Sequence, residues 1–324
     1  MTVAPMPFAR VAAYGEDILA EVSTVVVGME EAVRTALSAI LAGGHVLFED
    51  VPGLGKTLTA RTLATALGLD FRRLQCTPDL LPSDITGSAV FDPARGDFEF
   101  RPGPIFTDLL LADEINRTAP KTQSALLEAM AERQVTVDGT TRKLEVPFHV
   151  IATSNPVEYE GTYPLPEAQL DRFMVRIGAG YPARDQEVDV VQRRLDRKRE
   201  ETAVRQVVER GALAAMQAGV EELPVDPDIV GYCVDLVAAT RAHAAVEIGA
   251  SPRGAISLVL VARARAVLGG RDFVTPEDVK AVAVSVLAHR ITLSAQSWAS
   301  GLSAQDVVSG LLSAVPTPAT SRGR

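Results

Sequence analysis

His45-Val46-Leu47-Phe48-Glu49-Asp50-Val51-Pro52-Gly53-Leu54-Gly55-Lys56-Thr57-Leu58 is the stretch that decides the fold of this chain. A short apolar run at 45–48 enters a loop with two glycines, and a helical pattern follows over 57–66. Strand, glycine loop and helix together turn backbone N–H groups inward around an anion, and the helix N-terminus adds its partial positive charge. The spacing predicts a phosphate-binding loop built from Val51, Pro52, Gly53, Leu54, Gly55, Lys56, Thr57 and Leu58. Lys56 would reach the β and γ phosphates of a nucleotide, and the Thr57 hydroxyl would hold Mg²⁺. One residue departs from the full G-x-x-x-x-G-K-[ST] spacing: Asp50 stands where glycine is usual. Pro52 and Gly53 still set the turn, and Asp50 falls at the strand exit.

Outward from this loop, four more short apolar runs lie at 71–74, 109–112, 148–152 and 173–177, with helical patterns such as 122–130 between them. Runs of this length flanked by Gly, Pro or charge fit strands buried on both faces of a parallel sheet. The alternation predicts an α/β fold, an open parallel sheet flanked by helices. The pattern changes after 178–182, where strand signals fade and long amphipathic stretches begin. Thr275-Pro276-Glu277-Asp278 reads as a helix start, and Val279, Val282, Val286 and Leu287 then recur on one helical face. The expected division is a nucleotide-binding core at 1–181, an all-helical C-terminal domain at 182–316 and a flexible tail at 317–324.

Composition narrows the class. With 32 Lys and Arg against 41 Asp and Glu, the net charge is −9, a poor balance for coating nucleic-acid phosphates. Two cysteines make no disulfide framework, and four scattered histidines leave little for a zinc site. The uncharged stretches 291–305 and 307–321 are broken by Ser and Gln, so neither reads as a bilayer span. No basic head followed by an apolar run opens the chain, and a cytoplasmic location is expected.

Phosphoryl chemistry also needs a metal carboxylate and a group that activates water. Leu109-Leu110-Leu111-Ala112-Asp113-Glu114 offers both at a strand end: Asp113 for Mg²⁺ and Glu114 for the attacking water. Taken alone, the same residues also fit a solvated turn. Asn155, in Thr153-Ser154-Asn155-Pro156, falls on the ligand side of an open α/β sheet, or else in a simple Asn-Pro turn. Two segments, 87–104 with Phe91, Phe98 and Phe100, and 133–147 turning at Asp138-Gly139, read as hairpins. Residues 193–199 carry five basic side chains, read as a solvated helix face rather than a nucleic-acid contact. His45 and His149 read as core histidines.

The set resembles the AAA+ ATPases, and among them the MoxR group. The resemblance rests on Val51-Pro52-Gly53-Leu54-Gly55-Lys56-Thr57, Leu111-Ala112-Asp113-Glu114-Ile115-Asn116-Arg117, Ala152-Thr153-Ser154-Asn155-Pro156 and Leu165-Pro166-Glu167-Ala168-Gln169-Leu170-Asp171-Arg172-Phe173. Ser251-Pro252-Arg253-Gly254 and His289-Arg290 extend it toward the C-terminus. It implies a core plus helical lid, assembled as a homo-oligomeric ring, hexameric in the group's manner, with ATP between neighbours. It further implies that Asn155 is a first sensor, that Arg172 is an arginine finger entering the next subunit's site, and that Arg253 is a second sensor on the lid. An ion pair within its own loop is the other reading of Arg172, and a helix-start ion pair that of Arg253. The adenine region resembles Val25-Val26-Val27-Gly28-Met29-Glu30, so Val27 and Gly28 are expected at the base, with Met29 where the group usually has Gln. The resemblance implies a chaperone-like remodeller of a protein client, in maturation or in metal or cofactor insertion, often with a partner carrying a von Willebrand A-type domain. The hairpins of similar proteins project toward the ring pore and touch substrates. A helicase-like nucleic-acid motor is the alternative, opposed by the acidic balance and the lack of a basic, aromatic stripe. A small-molecule phosphotransferase is a third class; it would work as a monomer and need no Arg172 in trans.

Overall fold

The computed structural model describes residues 3–156, 161–198 and 203–318. Residues 199–202 of the helical region, with Arg199 of the basic cluster, and residues 319–324 of the expected tail lie outside the described residues. The strands are β1 (Val46–Glu49), β2 (Phe71–Gln75), β3 (Gly87–Asp92), β4 (Asp97–Pro102), β5 (Leu109–Asp113), β6 (Gln134–Val137), β7 (Thr140–Lys143), β8 (His149–Ser154) and β9 (Val175–Ile177). Helices of the same region are α1 (Phe8–Ser23), α2 (Glu30–Leu41), α3 (Lys56–Ala66), α4 (Pro82–Thr86), α5 (Pro120–Glu132) and α6 (Glu167–Leu170).

All five apolar runs are strands of one sheet, in the order β2-β5-β8-β1-β9, with every pairing parallel. Alternate side chains sort to its two faces, as the period of a strand requires. Val46, Phe48, Leu109, Leu111 and Ile151 join one apolar cluster; Leu47, Leu110, Ala112, Val150 and Ala152 join the other. The central strands β5 and β8 are buried throughout. Burial on both faces fails for β2, whose Arg72, Arg73 and Gln75 are exposed, because an edge strand has a neighbour on one side only.

The expected junction at Tyr181 and Pro182 falls between β9 and α7 (Arg184–Arg197). After it come α8 (Ala212–Glu221), α9 (Pro227–Ala242), β10 (Val246–Ile248), α10 (Pro252–Leu268), α11 (Pro276–Leu287), β11 (Thr292–Leu293), α12 (Ala295–Ala299) and α13 (Ala304–Ala314). The departure from an all-helical region is the short antiparallel ladder of β10 and β11, too brief to leave a period-two signal. Helix α11 starts as its sequence predicts: Thr275 Oγ1 and the Asp278 carboxylate cap each other's backbone N–H. Val279, Val282, Val286 and Leu287 are buried. Helices α8, α9, α10, α11 and α13 share the apolar cluster of α1, α2 and one sheet face, so the helical region is packed onto the core by a continuous interior. Helix α7 buries none of its residues, and its basic cluster is solvated as expected among the described residues.

Both predicted hairpins form, as β3–β4 and β6–β7. Asp138 and Gly139 have φ of +51° and +73°, the left-handed pair a two-residue turn needs. Phe91 and Phe98 meet edge to face on the first hairpin, 5.4 Å between centroids, and both are exposed. Phe100 instead lies under the Arg142 guanidinium, 3.8 Å from its ring centre, which ties the two hairpins together.

Candidate nucleotide site at the strand ends

The glycine loop leaves β1 and ends where α3 begins at Lys56. Gly53 and Gly55 have φ of +85° and +79°, and a Cβ added at either would meet nothing within 4 Å. They are required by the backbone, not by crowding, and the open side of the loop has room for phosphate oxygens. Lys56 Nζ donates to the Asp50 carbonyl at 2.5 Å and to the Ser154 carbonyl at 3.4 Å, which holds the ammonium at the mouth between β1 and β8. Burial pulls the Lys56 pKa below the usual lysine value, while Asp50, Asp113, Glu114 and Glu49 act to raise it.

Asp113 closes β5 and is buried. Its Oδ2 accepts from Thr57 Oγ1 at 3.1 Å and from Arg73 Nη2 and Nε at 2.7 and 2.9 Å; its Oδ1 accepts from Thr153 Oγ1 at 2.6 Å. Glu114 follows in the left-handed region, φ +58°, a conformation costing a non-glycine residue roughly 1–2 kcal/mol. Its N–H donates to Thr153 Oγ1 at 2.8 Å, and its carboxylate accepts from Gln75 Nε2 at 2.8 Å and Arg117 Nη1 at 3.1 Å. No group of three or more His, Cys, Asp or Glu side chains suited to a metal exists among the described residues. One carboxylate and one hydroxyl beside a phosphate cradle fit Mg²⁺, which takes few protein ligands and keeps water and phosphate oxygens.

Asn155 is buried just beyond β8, and its carbonyl accepts from Asn116 Nδ2 at 3.1 Å. Gly28, φ +76°, lies on a cleft of about 320 Å³ together with Met29, Thr35, Ile177, Gly178 and Ala179. Met29 is buried, with its sulfur 3.7 Å from Thr59 Oγ1, so this side chain is spent on packing against α3. Val27 lines a different cleft, of about 510 Å³, with Asp185 and Gln186 of α7.

Arg172 and Arg253 do not join Lys56 in the same chain. Arg172 Nη1 donates to the Leu127 carbonyl at 2.8 Å. Arg253 Nη1 lies 3.4 Å from Asp171 Oδ2, and Arg290 Nε lies 3.5 Å from Asp171 Oδ1. Burial pulls the Arg290 pKa down to about 10 despite Asp171. Both arginines line a cleft of about 370 Å³ with Gly43, Gly44 and His45, at the entry of β1. Lys56 stands beyond the exit of that strand, whose four residues span roughly 13 Å. The helix-start ion pair of Arg253 therefore exists, but its partner belongs to the turn before β9.

Sequence reasoning missed Arg73, Gln75 and Thr153. Gln75 is the register partner of Asp113, and Arg73 shares its strand face at i, i+2. The available signal was two long polar side chains at the carboxyl end of a strand, the end at which an open α/β sheet binds ligands.

Residues 45–175 match the ATPase family associated with various cellular activities (AAA), and residues 238–311 match the AAA lid domain. The chain is 47% identical to the uncharacterised protein YeaC of Bacillus subtilis, over 94% of this chain and 98% of that one. Identity to the chaperone MoxR1 of Mycobacterium tuberculosis is 40%, over 94% and 82%. Identity to protein MoxR of Methylorubrum extorquens is 35%, over 84% and 86%. A crystal structure of a candidate ATPase from Cytophaga hutchinsonii superposes with a TM-score of 0.88 at 41% identity, covering 96% of this chain and 97% of that one. A parallel sheet in this strand order, a glycine loop feeding α3, and relatives matched nearly end to end lead to one assignment: the chain is an ATP-hydrolysing member of the MoxR family of AAA+ ATPases.

Proposed function

We propose that this ATPase works as a ring of identical subunits, six by the family resemblance, and that it uses hydrolysis to remodel a protein client. The core at 1–181 supplies the phosphate loop and the helical lid at 182–316 supplies Arg253. Lys56 and the N–H groups from Gly53 to Leu58 hold the phosphates, with Val27 and Gly28 toward the base. Thr57 and Asp113 hold Mg²⁺, which when bound draws charge from the β and γ phosphates. Glu114 takes the proton of the attacking water and Asn155 positions that water. Arg172 and Arg253 act on the neighbouring subunit's ATP, neutralising charge that develops as the γ-phosphoryl departs.

The observation that carries this reading is the placement of Arg172 and Arg253 at the entry of β1 while Lys56 stands beyond its exit. An arginine at the far end of its own sheet serves no phosphate held there, whereas in a ring that face meets the next copy. Client remodelling is supported by the relative named chaperone MoxR1 and by the exposed Phe91 and Phe98 pair. A von Willebrand A-type partner, maturation and metal or cofactor insertion are parts of the same proposal. The net charge of −9 favours a protein client over nucleic acid.

Glu114→Gln should bind ATP without efficient turnover and so retain its client. In a pull-down with this variant and ATP, a protein partner enriched over Lys56→Ala supports the proposal. ATPase stimulation by DNA, with none by protein fractions, would replace it with the nucleic-acid motor.

A further inference from the structure

We infer that Asp50 is a positioning residue that couples the phosphate loop to the segment entering the lid. It occupies the position where the phosphate-loop pattern has glycine, and it makes contacts that glycine cannot. Its Oδ2 accepts from two successive backbone N–H groups, Ala179 and Gly180, each at 2.7 Å, and its Oδ1 accepts from the Val51 N–H at 2.9 Å. These are charge-assisted bonds, about twice as strong as neutral ones. The carbonyl of the same residue accepts from Lys56 Nζ. Asp50 therefore holds the lysine with its backbone and residues 179–180 with its side chain.

Residues 179–180 lie between β9 and α7, the last strand of the sheet and the first helix beyond it. The two strand exits are joined further by the Glu49–Arg176 ion pair at 3.1 Å. Gly178 brings the backbones close: a Cβ there would sit 3.3 Å from the Glu49 carbonyl. Gly180 has φ +67°, so this junction uses a backbone conformation open to glycine. Phosphate oxygens that attract Lys56 Nζ weaken its bond to the Asp50 carbonyl. The Asp50 carbonyl is then released while its N–H stays on the Ser154 carbonyl at 3.2 Å, so the residue can pivot about that bond and its carboxylate carries the movement to 179–180 and onward to α7. The inference rests on the reading of Lys56 as the phosphate ligand.

The test compares Asp50→Gly, which restores the usual glycine, with Asp50→Asn, whose single amide oxygen can accept from the 179–180 N–H groups while giving up the Val51 N–H. Fluorescent ATP binding, kcat and KM are measured together with hydrogen exchange of the 179–180 amides, with and without a non-hydrolysable ATP analogue. For Asp50→Gly the expected result is ATP affinity within about threefold of wild type and kcat lower by about tenfold or more. Its 179–180 amides should exchange fast and ignore the analogue, and Asp50→Asn should recover most of the kcat and the nucleotide response. Wild-type kcat in Asp50→Gly, or a retained nucleotide response at 179–180, overturns the inference. So does an equal loss of ATP affinity in both variants, which would make Asp50 a simple part of the loop. Retained ATP binding in Lys56→Ala would instead remove the underlying assignment, a separate and distinguishable failure.

Discussion

The Arg73 guanidinium lies 2.7 Å from the Asp113 carboxylate, on the same oxygen that accepts the Thr57 hydroxyl. A fixed cation on that oxygen competes with any metal ion for it. Arg73 is half exposed, so solvent screening reduces the effect. Arg73→Gln should lower the Mg²⁺ concentration that half-saturates ATPase activity by roughly threefold to tenfold. A Mg²⁺ titration at fixed ATP checks this, and a raised requirement would mean that Arg73 orients Asp113 for the metal.

Lys56 and Glu114 should separate binding from chemistry. Lys56→Ala is expected to abolish ATP binding, because the ammonium is a cation held at the loop mouth. Glu114→Gln keeps the size of the side chain beside Gln75 and Arg117 while removing its basicity. Turnover should fall by about 10²–10⁴-fold, the usual contribution of a general base, with ATP affinity little changed. Calorimetry and single-turnover hydrolysis on both variants read the two effects apart. Near-normal turnover in Glu114→Gln would remove it as the water activator.

Acid should destabilise the fold through its buried histidines, His45 and His149 in the core and His289 beside Phe173, each with its pKa lowered by burial. His45 accepts from the Val150 N–H at 2.9 Å, with its other nitrogen 3.3 Å from the Met130 carbonyl. His149 lies 2.9 Å from the Gly44 carbonyl through Nδ1 and 3.0 Å from Gln217 Nε2 through Nε2. Each pattern suits a neutral ring with one donor and one acceptor. Burial lowers their pKa values from 6.5 to about 3 and about 4, respectively. Below 6.5 the unfolded chain takes up these protons and the folded one does not, so stability is full above that pH and falls as pH drops toward the folded values. The loss is about 1.4 kcal/mol per pH unit for each histidine. Urea midpoints at about pH 7.5 and about pH 5.5 test this; equal midpoints would contradict it.

The sheet was legible because β1, β5 and β8 are buried on both faces, which leaves uninterrupted apolar runs, and because Asp113, Glu114 and Asn155 end such runs. Arg73 and Gln75 were not legible as partners of Asp113 and Glu114, since nothing local states that β2 lies beside β5. The role of Asp50 was hidden more deeply: its partners are backbone N–H groups, which carry no residue signature. Helix α7 misleads in the other direction. Val188, Val191 and Leu195 recur at helical spacing yet are exposed, so periodicity identified the helix and not its burial.

Thr275→Ala should cost about 1 kcal/mol, the usual loss of a helix cap. The Asp278 carboxylate it meets also receives Arg271 Nη1 and Nη2 at 2.5 and 2.6 Å, so Arg271→Ala should cost more than the cap. Denaturant unfolding of both variants checks the order, and the reverse order would mean that the ion pair adds little.

Arg172 at the entry of β1 and Lys56 beyond its exit make the shared site the central claim. Arg172→Ala and Glu114→Gln subunits, each nearly inactive alone, should regain ATPase activity when mixed. Interfaces that pair an intact Glu114 with an intact Arg172 from the neighbour then form, about a quarter of all interfaces in a random equal mixture. Recovery toward that fraction is the predicted result. Activity that stays at the sum of the two separate variants, in rings shown to have exchanged subunits, would contradict it.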